Sequence, residues 1–149
     1  PIKSNSNNLY DWFDNFTERE KLEGDNKWLN EETGKYIEVY KKINFWKLSK
    51  IIIIVLNRFD NNMEKITNLI KFPFELDLCK YCVGYRKNTF KYELISVANH
   101  DGSLKGGHYY SYVNNSNGKW YLYNDTNVSQ MKKEDVVSKS AYCLFYQLK

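Results

Sequence analysis

The sequence predicts an α+β fold with a mostly antiparallel sheet. Three observations carry this: helical spacing of apolar residues confined to the first twenty positions, a β-branched run at 51–59, and two aromatic runs flanking an Asn/Gly-rich turn. In chain order, Asn8 is placed to cap a helix in which Leu9, Trp12, Phe13 and Phe16 share one face, and Thr17-x-x-Glu20 offers a second helical start. Residues 35–46 alternate loosely between apolar and polar and predict a strand. Residues 51–59 (IIIIVLNRF) are too short for a helix between these flanks and predict a central strand buried on both faces. Asp60-Asn61-Asn62 is turn chemistry. One or two strands are expected over 83–97, a helical turn at 134–137 and a last strand at 141–148. No internal repeat is visible.

The most informative stretch is Gly106-Gly107-His108-Tyr109-Tyr110-Ser111-Tyr112, followed by Asn114-Asn115-Ser116-Asn117-Gly118 and then Lys119-Trp120-Tyr121-Leu122-Tyr123-Asn124-Asp125. Strand formers around such a loop predict a hairpin. A loop centred on Ser116 pairs 113 with 119, 110 with 122 and 108 with 124, so His108 faces Asn124. Opposed residues hold their Cβ atoms about 4.5–5.5 Å apart, within reach of a hydrogen bond between imidazole and carboxamide. His108, Tyr110, Tyr112, Trp120, Leu122 and Asn124 then share one face, since side chains alternate along a strand. A base with its orienter and a satisfied core histidine both fit this spacing. The preceding glycines suit a ligand backbone passing close to the imidazole. The polar segment 100–105 (HDGSLK) is expected to be a loop ending at the glycine pair.

Composition narrows the function classes. The 149 residues carry 22 basic and 18 acidic side chains, a net charge of +4 with the lysines dispersed, which argues against a nucleic-acid surface. The longest apolar run, 51–56, is far short of a membrane span, and no charged-then-apolar leader opens the chain. Three cysteines without framework spacing point to a reducing compartment, cytoplasmic or nuclear. Cys143 lies in an apolar strand and reads as a small core residue. Cys79 and Cys82 have no helix N-terminus after them to stabilise a thiolate. Too few further ligands remain for a four-coordinate zinc site. Metal and cofactor sites are therefore expected to be absent.

A family resemblance rests on an ordered set of segments: Tyr92-Glu93-Leu94-Ile95-Ser96-Val97-Ala98-Asn99-His100-Asp101-Gly102, Gly106-Gly107-His108-Tyr109, Trp120, Tyr123-Asn124-Asp125-Thr126-Asn127-Val128 and Ala141-Tyr142-Cys143-Leu144-Phe145-Tyr146. Together they resemble the histidine box of the ubiquitin-specific proteases. Upstream, 51–59 resembles that family's apolar strand ending in Leu-Lys-Arg-Phe, with Asn57 in place of the Lys. Lys65-Ile66, 72–78, 41–48 and Trp28 extend the likeness over almost the whole chain.

The resemblance implies a papain-like cysteine protease fold of thumb, palm and fingers. Residues 1–149 would be a single partial domain, the C-terminal portion of the catalytic domain: the palm-type sheet and part of the fingers, with the thumb missing. It implies thiol-dependent hydrolysis of the bond after ubiquitin's C-terminal glycine, with ubiquitin and ubiquitinated proteins as partners. His108 would be the general base, Asn124 its orienter and Asp125 the second polar residue of that pair. Arg58, Phe59, His100, Gly106, Gly107 and Tyr109 would line the path of the substrate tail. An imidazole with its ordinary pKa of about 6.5 suits proton exchange with a thiol, and Cys-His-Asn is a known variant of triad logic. The family's Gly-Asn-Thr-Cys box does not occur, so the nucleophile is expected from the missing N-terminal part of the same domain. Relatives often carry a Cys-x-x-Cys zinc pair just after a Trp like Trp28, where this chain has Asn30 and Thr33. A catalytically silent ubiquitin-binding or scaffold module is the alternative.

Overall fold

Asn8 opens the first element as its side chain allows. The computed structural model describes residues 7–149; in it Asn8 Oδ1 accepts a hydrogen bond from the Tyr10 amide at 3.0 Å and caps helix α1 (Leu9–Phe16). The helix buries Leu9 and sets Phe13 against Tyr81 and Phe45, with ring centroids 5.3 and 6.2 Å apart. Thr17 does not start a second helix. It ends the first, returning its amide and hydroxyl to the Phe13 carbonyl.

Four three-residue strands come next: β1 (Glu20–Leu22), β2 (Trp28–Asn30), β3 (Lys35–Ile37) and β4 (Val39–Lys41). They form two ribbons, β1 with β4 and β2 with β3. The single strand expected over 35–46 is thus two, because the chain changes partner at Glu38. At the tip of the β2–β3 ribbon the Asn30 carboxamide accepts from the Glu32 and Thr33 amides at 3.0 and 3.1 Å. A local side-chain turn closes this hairpin.

The remaining strands are β5 (Ile51–Val55), β6 (Glu75–Asp77), β7 (Lys91–Ser103), β8 (Gly106–Asn114), β9 (Trp120–Asn124), β10 (Asn127–Met131) and β11 (Ala141–Leu148), with a 3-10 turn at Lys133–Val136 where a helical turn was expected. They build one seven-stranded sheet in the order β10-β9-β8-β7-β11-β5, with β6 paired to the start of β7, and every pairing is antiparallel.

β5 corrects the sequence reading: among the described residues it is an edge strand paired only to β11, and Ile51, Ile53 and Val55 are exposed. A β-branched run reports strand propensity; the number of neighbours a strand acquires is decided elsewhere in the chain. Ile52 and Ile54 pack against the core from the other side of the strand, and the segment becomes fully buried at Leu56 and Arg58.

The core lies on one face of the sheet, where Tyr92, Leu94, Val97, Leu144 and Tyr146 meet Leu9, Phe72 and Leu76. The two buried tyrosines each donate to a carbonyl, Tyr92 to Ser49 at 2.8 Å and Tyr146 to Pro73 at 2.6 Å, so their burial leaves no hydroxyl orphaned. The β7–β11 ladder contains two bulges, which leave Ile95 and Tyr142 unmatched. Each restarts the alternation of side chains and re-aims the residues beyond it. Past the first bulge Val97, Asn99 and Asp101 share a face with Tyr112, Tyr110 and His108, while His100 points to the other. The segment 100–105 is mostly strand: β7 runs through Ser103, and only Leu104-Lys105 form the turn into β8.

Candidate active site

β8 and β9 bring His108 and Asn124 together, by a register different from the expected one. The observed pairs are Ser111 with Tyr123, Tyr112 with Leu122, Val113 with Tyr121 and Asn114 with Trp120. The loop is therefore centred on Asn117. Gly118 explains this: it takes a positive φ of 73° and closes a turn by donating its amide to the Asn115 carbonyl at 2.8 Å. A shift of two residues preserves side-chain parity. His108 and Asn124 stay on the same face and meet diagonally, with Nε2 of His108 2.5 Å from Oδ1 of Asn124.

The chemistry of that contact fixes the tautomer. A carboxamide oxygen only accepts, so Nε2 carries the proton and donates it, which leaves the lone pair on Nδ1. The imidazole side chain is about half exposed. A group arriving from outside the sheet can therefore reach it. Asp125 sits in the two-residue turn between β9 and β10 at φ 50°, a left-handed conformation that Asp tolerates. Its carboxylate lies 3.9 Å from His108 Nε2 and is largely exposed.

The residues expected to line a substrate path divide into an aromatic cluster, a glycine pair and Arg58. His100, Tyr109 and Phe59 cluster on the face opposite His108. Ring centroids are 4.6 Å apart for His100 and Tyr109, 6.1 Å for His100 and Phe59, and 5.6 Å for His100 and Tyr142. His100 is 3% exposed and burial lowers its pKa, favouring the neutral ring; Tyr109 is open to solvent. Lys65 donates to the His100 carbonyl at 2.6 Å. Arg58 stands apart from both groups. Buried at 2% exposure, it donates to the carbonyls of Ala141 at 3.0 Å, Asn68 at 2.5 Å and Ile66 at 3.3 Å. Its guanidinium ties the 66–68 segment to the start of β11 and does not open toward His108.

The two glycines before His108 are not equivalent. A Cβ on Gly107 would stand 2.3 Å from His100 Nε2 and 2.5 Å from the Asp101 carbonyl oxygen, whereas a Cβ on Gly106 would meet nothing within 4 Å. Packing inside the fold therefore demands Gly107, and Gly106 remains free to accept a close approach from outside. Gly107→Ala is expected to destabilise the chain by about 1–3 kcal/mol through this overlap, while Gly106→Ala stays within about 0.5 kcal/mol. Urea denaturation of both variants checks this; equal midpoints would contradict it.

A family model for ubiquitin carboxyl-terminal hydrolase matches residues 3–146. The chain belongs to that family. Among curated members, ubiquitin carboxyl-terminal hydrolase 15 of Homo sapiens is 34% identical over 144 residues, covering 93% of this chain. Ubiquitin carboxyl-terminal hydrolase 4 of Pongo abelii is 35% identical over 144 residues, again 93% of the chain. The chain spans only 15% of the length of either relative. Among solved structures, the SAGA DUB module Ubp8/Sgf11/Sus1/Sgf73 bound to ubiquitin aldehyde gives a TM-score of 0.81 at 28% identity, covering 99% of this chain and 34% of the other. The same module bound to monoubiquitin gives 0.81 at 31% identity, with 99% and 34% covered. The α+β, papain-like architecture expected from the sequence is the fold of these neighbours.

In this ubiquitin carboxyl-terminal hydrolase chain the three cysteines are unbridged, and burial raises the pKa of each thiol. For Cys79 the neighbouring Asp77 raises it further. None is set up as a thiolate. No group of three or more His, Cys, Asp or Glu is placed to hold a metal ion among the described residues, and none of the described helices is long and apolar enough to cross a membrane. The sequence reading missed Asp101, which lies directly across from His108 on β7, together with its partners Tyr110 and Ser140. Its signal was present but masked: Asp-Gly beside a Ser reads as a turn before its strand pairing is known.

Proposed function

We propose that this chain supplies the general base and its orienting residue to a thiol-dependent hydrolase acting after the C-terminal glycine of ubiquitin, the nucleophilic cysteine coming from a preceding part of the same protein. The observation that carries this reading is the His108 to Asn124 contact, which leaves Nδ1 free on an accessible ring. Nδ1 takes the proton of the incoming thiol, and the thiolate attacks the glycine carbonyl. The imidazolium, stabilised by the Asn124 carboxamide and the Asp125 carboxylate, returns the proton to the departing amine. Water then cleaves the thioester with His108 again as base. Gly106 and the exposed ring of Tyr109 are the surfaces left open to a glycine-rich tail. Phe59 and His100 support Tyr109 from behind, and Gly107 makes room for the His100 ring.

Ubiquitin as ligand is supported by the bound ubiquitin species of the structural neighbours, and the burial that raises the pKa of each of the chain's own thiols supports a nucleophile from outside it. Three free thiols fit a reducing compartment, cytoplasmic or nuclear. The test is turnover of a ubiquitin C-terminal fluorogenic substrate. The full-length protein is expected to turn it over and residues 1–149 alone are not. Ubiquitin binding by a full-length protein without turnover would replace this reading with that of a silent binding module.

A further inference from the structure

We propose that Tyr110, Asp101 and Ser140 form a strut that positions His108, holding the aromatic ring against which the imidazole rests; this deepens the reading of His108 as the base and rests on it. Among the described residues His108 has one hydrogen-bonded side-chain partner, Asn124, and its ring is half exposed. A single contact leaves an imidazole free to swing about its side-chain torsions. The second restraint is Tyr110, stacked at 6.2 Å between centroids with the planes 22° apart and backed on its other side by Tyr112 at 5.7 Å.

Tyr110 is itself tied down. Its hydroxyl donates to Asp101 Oδ2 at 3.0 Å, and Ser140 donates to Asp101 Oδ1 at 2.6 Å. Both carboxylate oxygens are thus engaged by hydroxyls, and Asp101 forms no ion pair with a Lys or Arg among the described residues. Ser140 is anchored in turn, since its carbonyl accepts the His100 amide at 2.9 Å. The Ser140 hydroxyl, and after it that of Tyr110, lowers the pKa of Asp101, so the carboxylate stays an acceptor at neutral pH. Burial lifts the Tyr110 phenol to about 12, which keeps it a donor. The strut therefore joins the segment before β11 to β7, and β7 to the ring beneath the base on β8. Tyr110, Asp101 and Ser140 are positioning residues, because they reach the reaction only through the orientation of His108.

The test is a double-mutant cycle in the full-length protein. Tyr110→Phe keeps the ring and removes the tether; it is expected to lower kcat roughly tenfold, the scale of a small misplacement of a reacting group, with KM changed less than about twofold. In an Asn124→Ala background, where orientation is already lost, the same change is expected to cost less than about twofold, because coupled residues are not additive. A full and additive loss in both backgrounds would mark a merely structural tyrosine and overturn the proposal, as would unchanged kcat in Tyr110→Phe and Asp101→Asn. If the wild type shows no turnover the protease reading fails, and nitrogen-15 spectra of the histidine-labelled full-length protein then decide. A wild-type His108 ring protonated at Nε2 that becomes a mixture of tautomers in Tyr110→Phe upholds the strut; an identical ring signal in both refutes it.

Discussion

His108→Ala in the full-length protein is expected to lower kcat by on the order of 10³-fold, within the range that a positioned acid–base group contributes. Among the described residues no other group is placed to substitute for it. His100, the other histidine, is buried on the opposite face of the sheet among Phe59, Tyr109 and Tyr142, and its neutral form is favoured by burial. Asp125 is close to the ring but sits on an exposed turn, where water surrounds its carboxylate. The loss should fall on kcat with little change in KM, since the imidazole is assigned to bond making and not to holding the ubiquitin body. Steady-state kinetics on a ubiquitin C-terminal fluorogenic substrate measures this, and turnover within tenfold of wild type would remove His108 from the base role.

Asn124→Ala is expected to be the next largest loss, about 10²-fold in kcat. The carboxamide sets two things at once: the proton on Nε2, and the direction in which Nδ1 points. Without it the proton can sit on either nitrogen, and stacking on Tyr110 does not by itself keep Nδ1 aimed. The base itself survives, so the effect is smaller than that of His108→Ala. Asp125→Ala is expected to cost less than about threefold, because a carboxylate 3.9 Å away and largely exposed contributes little through water. Comparing kcat for the three variants under one set of conditions checks the order His108, Asn124, Asp125.

How much of this was legible in the sequence depended on which physical rule each residue obeyed. The helix cap at Asn8, the strand at 141–148 and parts of the strands expected over 51–59 and 83–97, namely 51–55 and 91–97, arise from local propensity and came through, whereas 83–90 holds a 3-10 turn at Lys87–Thr89 and no strand. The pairing of His108 with Asn124 came through for a different reason: alternation has a period of two, so an error of two residues in register left both on one face. The register itself depended on which residue of the loop would take a positive φ, and Gly118 rather than the loop midpoint decided it.

The edge position of β5 was not legible, because the number of neighbours a strand has is a property of the whole sheet. Nor was the strut. Asp101 looks like a loop residue until Gly102, at φ 126° and packed on Gly107, lets β7 continue past it to Ser103. Arg58 resembles a residue at a substrate path by its place after a strand, but two carbonyls from 66–68 and one from β11 turn it inward.

The central claim is that this chain holds a base in wait for a sulfur it does not itself provide. Reacting the full-length protein with ubiquitin bearing a C-terminal electrophile, then mapping the adduct by peptide mass spectrometry, addresses it directly. The adduct is expected on a cysteine outside residues 1–149, with labelling strongly slowed by His108→Ala. An adduct on Cys79, Cys82 or Cys143, or labelling at the wild-type rate without His108, would contradict it.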